Sequence, residues 1–140
     1  MMAITLSPAE RVALLAAAQW FLPPDNAYPS FAEADPDDQV LHLVLEQLAP
    51  LQDEIHAALA AVPAGNVEEY MDGLSDADAA QFETLRTLCL GWYFTCRPVW
   101  ELLGYTGRRP VPITEGEADH HLRGGILDPV IERGKIYRPA

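Results

Sequence analysis

Basic residues are scarce in this chain: nine lysines and arginines stand against 21 aspartates and glutamates, and the formal net charge is -12. The shortage is greatest in residues 1–107, which contain three basic and sixteen acidic residues, whereas residues 108–140 contain six basic and five acidic residues. The negative electrostatic field of such a chain repels phosphate backbones and anionic lipid headgroups. The composition therefore argues against binding to nucleic acid or to a membrane surface, and it predicts an acidic body followed by a nearly neutral tail.

Long apolar runs and a basic leader are also missing. The apolar stretch at the start of the chain contains Glu10 and Arg11 and lacks the basic beginning of a secretory signal. No stretch approaches the roughly 20 consecutive apolar residues that a transmembrane helix needs. We therefore expect a cytoplasmic protein with no membrane insertion.

Cysteine is rare, with only Cys89 and Cys96 in the whole chain. Seven residues of continuous helix separate two positions by about 10.5 Å of rise, which is beyond the reach of a disulfide bond. Apolar neighbours raise the pKa of a thiol and leave it unreactive. Two free structural thiols are therefore expected.

Catalytic and nucleotide-binding motifs are lacking as well, because the sequence contains no GxSxG, no GxGxxG and no P-loop pattern. His120 and His121 lie near Glu115, Glu117 and Asp119, but adjacent histidines point apart in regular structure, and no helical ligand spacing accompanies them. We expect no catalytic residue, no bound cofactor and no metal in this chain. A small metal-binding protein that uses the His120-His121 loop is kept as an alternative.

What the sequence does contain is helical periodicity. Ser7, Pro8 and Glu10 form a helix start with a capping box, and this helix is expected to run to about Phe21. Apolar residues recur at helical spacing in residues 37–49 and 50–62, residues 67–74 form a short helix or turn, and residues 75–78 are expected to open a further helix. No convincing alternating pattern predicts a β-strand. We predict an all-α fold, a small bundle of about five helices with a long irregular C-terminal tail.

The tail begins where the composition changes at residue 108. Proline, glycine and charge recur every few residues beyond this point, which leaves room for one short helical turn near "DPVIER". We predict a helical domain at residues 1–107 and an extended tail at residues 108–140 that packs on the body or on a partner. Its apolar residues are too many for a solvated linker, and those expected to contact a partner are Ile126, Leu127, Ile136 and Tyr137.

The segment "LRTLCLGWYFTCRPVWELLGYTG", residues 85–107, is apolar almost all round. A surface helix of a small monomer is apolar on one face only, so this helix is expected to be central or to lie partly in an interface. Pro98 predicts a kink or restart and Gly104 a left-handed stop. The aromatic cluster with its arginine has the composition of a protein–protein hot spot, whose predicted members are Trp92, Tyr93, Phe94, Arg97, Trp100 and Tyr105. A plain hydrophobic core is the competing interpretation.

The slightly longer stretch "FETLRTLCLGWYFTCRPVWELLGYTG", residues 82–107, resembles the closing motif of the gluconate 2-dehydrogenase subunit 3 family, "F..L..LT..GYY..P..W..LGY.G". The matching positions are Phe82, Leu85, Gly91, Tyr93, Val99, Trp100, Leu103, Gly104, Tyr105 and Gly107. The ending "LDPVIERGKIYRP" is also similar to that family's tail, so the similarity covers roughly residues 75–140.

The resemblance implies a small accessory subunit of an FAD-dependent sugar or polyol oxidoreductase of the glucose-methanol-choline type. The large partner would hold the flavin and the catalytic histidine, while the small subunit would support its folding, stability or export. This sequence lacks the twin-arginine signal of many relatives, which favours a cytoplasmic complex acting on a soluble substrate such as a glycoside. The alternative from another class is a self-associating helical protein that buries residues 88–94 in a homodimer.

Overall fold

The computed structural model describes residues 4–25, 27–112, 114–117 and 119–134. Within these ranges the regular structure is helical, and a single isolated β-bridge joins Asp25 to Tyr28. The predicted all-α class is therefore confirmed. No helix of the described part of the chain combines the length and the hydropathy needed to cross a membrane. The chain divides into two compact units, Met1–Thr106 and Gly107–Ala140.

The first unit opens with helix α1, Pro8–Phe21. Its predicted capping box is present: the Ser7 N–H donates to the Glu10 carboxylate over 2.7 Å, and the Glu10 N–H donates to the Ser7 hydroxyl over 3.3 Å. Helix α2, Phe31–Ala34, begins with the same arrangement between Ser30 and Glu33. Helix α2 was not predicted because four residues are too few for a periodic pattern, although the Ser-x-x-Glu spacing was a readable signal.

The middle of the body follows the predicted order of helices. Helix α3 is Gln39–Gln47, a 3-10 turn occupies Ala49–Leu51, and helix α4 is Gln52–Ala61. Helix α5 is Val67–Ala77, longer than the short helix or turn predicted there.

One helix boundary was predicted wrongly. Residues 75–78 were expected to open the next helix, but Ser75, Asp76 and Ala77 form the last turn of α5, and helix α6 is Ala79–Thr95. Asp78 separates the two helices: its backbone is non-helical, with φ of −149° and ψ of 87°, and its carboxylate accepts the Gln81 N–H over 3.0 Å. A single capping side chain, rather than the whole acidic run, sets the start of α6.

Helix α6 is the centre of the body, in contact with α1, α3, α4, α5 and helix α7, Arg97–Leu102. The side chains on its inward stripe are fully buried and lie on one face of the helix; they are Leu85, Leu88, Cys89 and Trp92, and Cys96 continues the stripe just beyond the end of α6. Neighbouring helices cover this side of α6, while its opposite side is exposed at Glu83, Arg86, Thr87 and Phe94.

A buried carboxylate ties the start of α3 to α6. Asp35 is 5% exposed and accepts the N–H groups of Val40 over 3.1 Å and Leu41 over 2.9 Å, together with the Trp92 indole N–H over 2.8 Å. Burial alone would raise the pKa of Asp35, but the hydrogen bonds from Leu41, Trp92 and Val40 outweigh it and hold this pKa below its usual value. Asp35 therefore stays ionised inside the body and satisfies two N–H groups at the start of α3 that the helix itself leaves free.

The second unit contains two short helices, α8, Asp119–Arg123, and α9, Asp128–Arg133. The helical turn predicted near "DPVIER" is α9. Helix α8 was not predicted. An ion pair of 3.3 Å joins Asp119 at its start to Arg123 at its end, four residues later. Among the described residues of this unit, the large apolar side chains that remain exposed are Val111, Ile126, Leu127, Val130 and Ile131.

Candidate protein-binding surface

The break between α6 and α7 positions the candidate surface. Cys96 adopts an extended backbone conformation between the two helices, and Pro98 lies in the first turn of α7. This is the restart predicted from the proline. Gly104 has a φ of +67°, so the left-handed stop predicted there is also present. The chain thus turns sharply at each end of a six-residue helix.

Two of the predicted partner-binding residues belong to the core instead. Trp92 is fully buried, and its ring centroid lies 4.6 Å from that of Phe31. Its indole N–H donates to the Asp35 carboxylate. Tyr93 is 4% exposed, and its hydroxyl donates to the Pro29 carbonyl over 2.7 Å. Because both side chains are enclosed and their polar atoms are bonded within the body, neither offers a surface to a partner in this fold. Hot-spot composition could not reveal which way each ring points.

Phe94 and Tyr105 lie on the surface, 45% and 51% exposed. Trp100 joins them: its indole N–H donates to the Phe94 carbonyl, and its ring meets that of Tyr105 edge-on with centroids 5.2 Å apart. The Tyr105 N–H in turn donates to the Trp100 carbonyl over 2.8 Å. The three aromatic residues therefore form one continuous group held by its own hydrogen bonds.

Two leucines at the end of α7 extend this group, since Leu102 is 56% and Leu103 50% exposed. Neither was among the predicted site residues. Helical spacing could not have found them, because residues three and four positions after the buried Val99 are expected on the same face as Val99, yet both are exposed. We call the surface formed by Phe94, Trp100, Leu102, Leu103 and Tyr105 the apolar patch.

Arg97, another predicted member, has a side chain that is 86% exposed. Its guanidinium lies 3.4 Å from the Glu101 carboxylate one turn later on α7. An ion pair this exposed contributes little to stability. Arg97 is therefore available to a binding partner at small cost to the fold.

The predicted site residues of the second unit divide in two. Ile126 and Leu127 are exposed and precede α9. Ile136 and Tyr137 lie outside the described residues. Their assignment to a partner-binding surface stays a prediction.

The thiols are unsuited to nucleophilic chemistry. Burial raises the pKa of Cys89 to about 12, and burial together with the negative charge of Asp35 raises the pKa of Cys96 to about 11. The Cys96 thiol donates to the Trp92 carbonyl over 3.3 Å. Both sulfurs are therefore protonated at neutral pH and enclosed in the core.

The loop that contains His120 and His121 is the alternative candidate site, which would bind a metal ion. His120 is exposed, and its Nδ1 lies 2.8 Å from the Glu117 carbonyl oxygen. The side chain of His121 lies outside the described residues. Among the residues that are described, no three His, Cys, Asp or Glu side chains come together as a set of metal ligands.

Comparisons with known proteins identify no relative of this chain. No protein-family model matches it, and neither a curated protein nor a solved structure does. What the chain does must therefore be inferred from its own surface and from its sequence motif.

Proposed function

We propose that this chain is a non-catalytic small subunit that binds and stabilises the large subunit of a flavin-dependent sugar or glycoside oxidoreductase, in the cytoplasm. The observation that carries the proposal is the apolar patch. Three of its members, Trp100, Leu103 and Tyr105, are also positions of the motif that resembles the gluconate 2-dehydrogenase subunit 3 family. In this proposal these three residues of the motif contact the large subunit.

Physical chemistry supports a docking role for the patch. A contiguous exposed apolar surface on a small protein marks an interaction site, because leaving it in water is unfavourable. Full burial of one large apolar side chain contributes about 1.5 to 3 kcal/mol. Tryptophan and tyrosine also dominate binding hot spots. Trp100 and Tyr105, already fixed by their mutual ring contact, would lose little conformational entropy on binding.

The division of chemistry follows from the resemblance. The flavin and the catalytic histidine would belong to the large subunit, and this chain would contribute binding energy that favours the folded, FAD-loaded state of its partner. Linkage then predicts a gain in partner stability that grows with the concentration of the small subunit. The protonated, buried thiols of Cys89 and Cys96 are consistent with a subunit that takes no covalent part in turnover.

Coexpression with a flavin-dependent oxidoreductase encoded beside this chain tests the proposal. We expect the small subunit to raise the yield of soluble, FAD-loaded large subunit, measured by flavin absorbance after copurification. Leu103→Asp should abolish copurification, because it places a charge in the apolar patch. Leu43→Asp is the matched control: Leu43 is 48% exposed on α3, outside the patch.

Two results would contradict the proposal. The first is a large subunit that folds, binds FAD and turns over equally well without this chain. The second is equal copurification of the Leu103→Asp and wild-type chains. A homodimer is the competing use of the same patch: in that case the isolated chain sediments as a dimer, and Leu103→Asp converts it to a monomer.

A further inference from the structure

A second surface of the body lies away from the break between α6 and α7. An open groove of about 590 Å³ runs between α1, α4 and the start of α5. Leu59 and Val62 line it and are buried, while Val12 lines it at 67% exposure. The groove thus reaches from the hydrophobic core to solvent.

Small side chains create this groove. Ala9, Ala13 and Ala16 line it from α1, and Ala60 and Ala64 line it from α4 and the following loop. An alanine presents only its Cβ, so the space that longer side chains would fill between the elements stays open. The groove can therefore accept bulky apolar side chains supplied from outside.

One end of the groove is acidic. Val67 lines both the groove and an adjoining hollow, whose other walls include Glu68, Glu69 and Asp72. The surrounding charge is not compensated elsewhere in the body, because residues 1–107 contain sixteen acids and three bases. Each of those bases already lies beside an acid, in the pairs Arg11–Asp38, Arg86–Glu83 and Arg97–Glu101.

We propose that this groove binds an amphipathic α-helix of a partner polypeptide. Bulky aliphatic side chains of that helix fill the alanine-lined space, and its lysines or arginines face Glu68, Glu69 and Asp72. This is the helix-in-groove mode of recognition, in which apolar anchors provide affinity and flanking charge provides orientation and a fast approach. The inference uses helices other than α7 and does not depend on the flavoprotein proposal.

Charge and hydrogen bonding favour this occupant over two others. A second copy of the chain would bring two acidic edges together, and like charges repel. A small polar ligand would need free polar groups to orient it. At the edge of the groove the Glu10 carboxylate is occupied by the N–H and hydroxyl of Ser7 and by His56, whose Nδ1 lies 2.6 Å away.

The test uses a fluorescent peptide made of leucine and lysine, roughly 18 residues or five helical turns long. Its leucines follow the i, i+3, i+4, i+7 pattern of one helical face. A scrambled isomer with the same composition has no apolar face. We expect the full-length chain to bind the amphipathic peptide at least about tenfold more tightly than the isomer, a difference of about 1.4 kcal/mol. Amide shifts in the 15N-labelled chain should change mainly in residues 9–16 and 59–69.

Matched variants locate the binding energy. Val12→Glu should weaken peptide binding roughly tenfold by placing a charge among the apolar anchors, whereas Leu43→Glu, an exposed change on α3, should leave it unchanged. Glu69→Lys should weaken binding and flatten its salt dependence. Glu46→Lys alters the net charge equally on α3 and should do much less.

Several outcomes would overturn the inference. Equal binding of the scrambled isomer would show attraction by charge alone. Amide shifts confined to the apolar patch would assign the peptide to that surface instead. A dimer of the isolated chain that Val12→Glu dissociates would make a second copy the occupant. If circular dichroism shows that the Val12→Glu variant is unfolded, the Glu69→Lys variant still tests the proposal, because Glu69 is exposed and contributes nothing to the core.

Discussion

Asp35 shows how one buried charge joins three elements of the body. Its N–H donates to the Phe31 carbonyl and ends α2, its carboxylate accepts two N–H groups from the start of α3, and the same carboxylate accepts the Trp92 indole N–H of α6. The Arg11 guanidinium lies over the Trp92 ring, 4.8 Å from the ring centroid, and donates a hydrogen bond to the Asp38 carboxylate. The charge is thus satisfied entirely by groups of the protein.

Asp35→Asn should destabilise the fold by about 2 to 3 kcal/mol, because charge-assisted hydrogen bonds are lost and an amide N–H₂ faces donors. Urea unfolding followed by circular dichroism measures the change. Asp37→Asn is the control, since Asp37 is exposed on the same loop. Equal midpoints for the wild type and Asp35→Asn would mean that the buried carboxylate contributes no net stability.

Glu10 predicts a dependence of stability on pH. Hydrogen bonds from the Ser7 backbone, the His56 side chain and the Ser7 hydroxyl lower the pKa of Glu10 from 4.5 to about 2. A carboxyl whose pKa is lower in the folded state stabilises the protein fully above pH 4.5 and loses this contribution as the pH falls towards 2.

Glu10→Gln should therefore cost about 1 kcal/mol near neutral pH, the usual value of a helix cap. The difference from wild type should close below pH 4.5. Urea midpoints measured across this range give the result, with the exposed Glu54→Gln as control. A difference that stays constant down to the lowest pH would rule out the carboxylate as its source.

Among the elements, α6 contacts five other helices, and its outward face changes along its length. Glu83, Arg86 and Thr87 are exposed and give the first part of this face a polar surface. Phe94, next to the break at Cys96, continues the exposed face and contributes to the apolar patch.

Gly91→Ala should stabilise α6 by about 0.5 to 1 kcal/mol, because glycine is unfavourable inside a helix. The new methyl group would lie 3.8 Å from Val44 Cγ1, an ordinary van der Waals contact. Thermal unfolding measures the gain, and Gly73→Ala in α5, where the added Cβ meets open space, should show a similar increase. A lower midpoint for Gly91→Ala alone would mean that α3 and α6 lie too close for a methyl group.

At the scale of the whole molecule, the core belongs to the first unit. Among the described residues, every buried side chain lies between Ile4 and Val99. The described apolar side chains of the second unit are exposed, with Ile126, Val130 and Ile131 each more than half accessible. Water therefore contacts apolar surface in both units, at the patch in the first and around α9 in the second.

Truncation after Gly107 should leave the body folded, with its helical circular dichroism and cooperative thermal transition retained, because its core is complete without the tail. Under the proposed function, the same truncation should severely weaken association with the proposed large subunit, measured by copurification. If the truncated body unfolds, the tail acts as an intramolecular strap. If binding is unchanged, the interface lies wholly on the first unit and the assignment of Ile126 and Leu127 is wrong.

Features that depend on neighbours within a turn or two could be predicted from the sequence. The Ser7–Glu10 capping box, the restart at Pro98 and the stop at Gly104 are local conformational preferences, and together with helical periodicity they specify an all-α chain. The start of α6 could not be located from such preferences, because Ser75, Asp76 and Asp78 are all suitable caps and only Asp78 has the non-helical backbone that a cap needs.

Which side chains face inward depends instead on how the helices pack together. Trp92 and Phe94 are two residues apart with similar chemistry, yet Phe31 and Asp35, about 60 positions earlier, enclose the first and leave the second exposed. The alanine-lined groove likewise exists only where α1, α4 and α5 meet. Such surfaces depend on contacts between distant parts of the chain, which local sequence patterns do not encode.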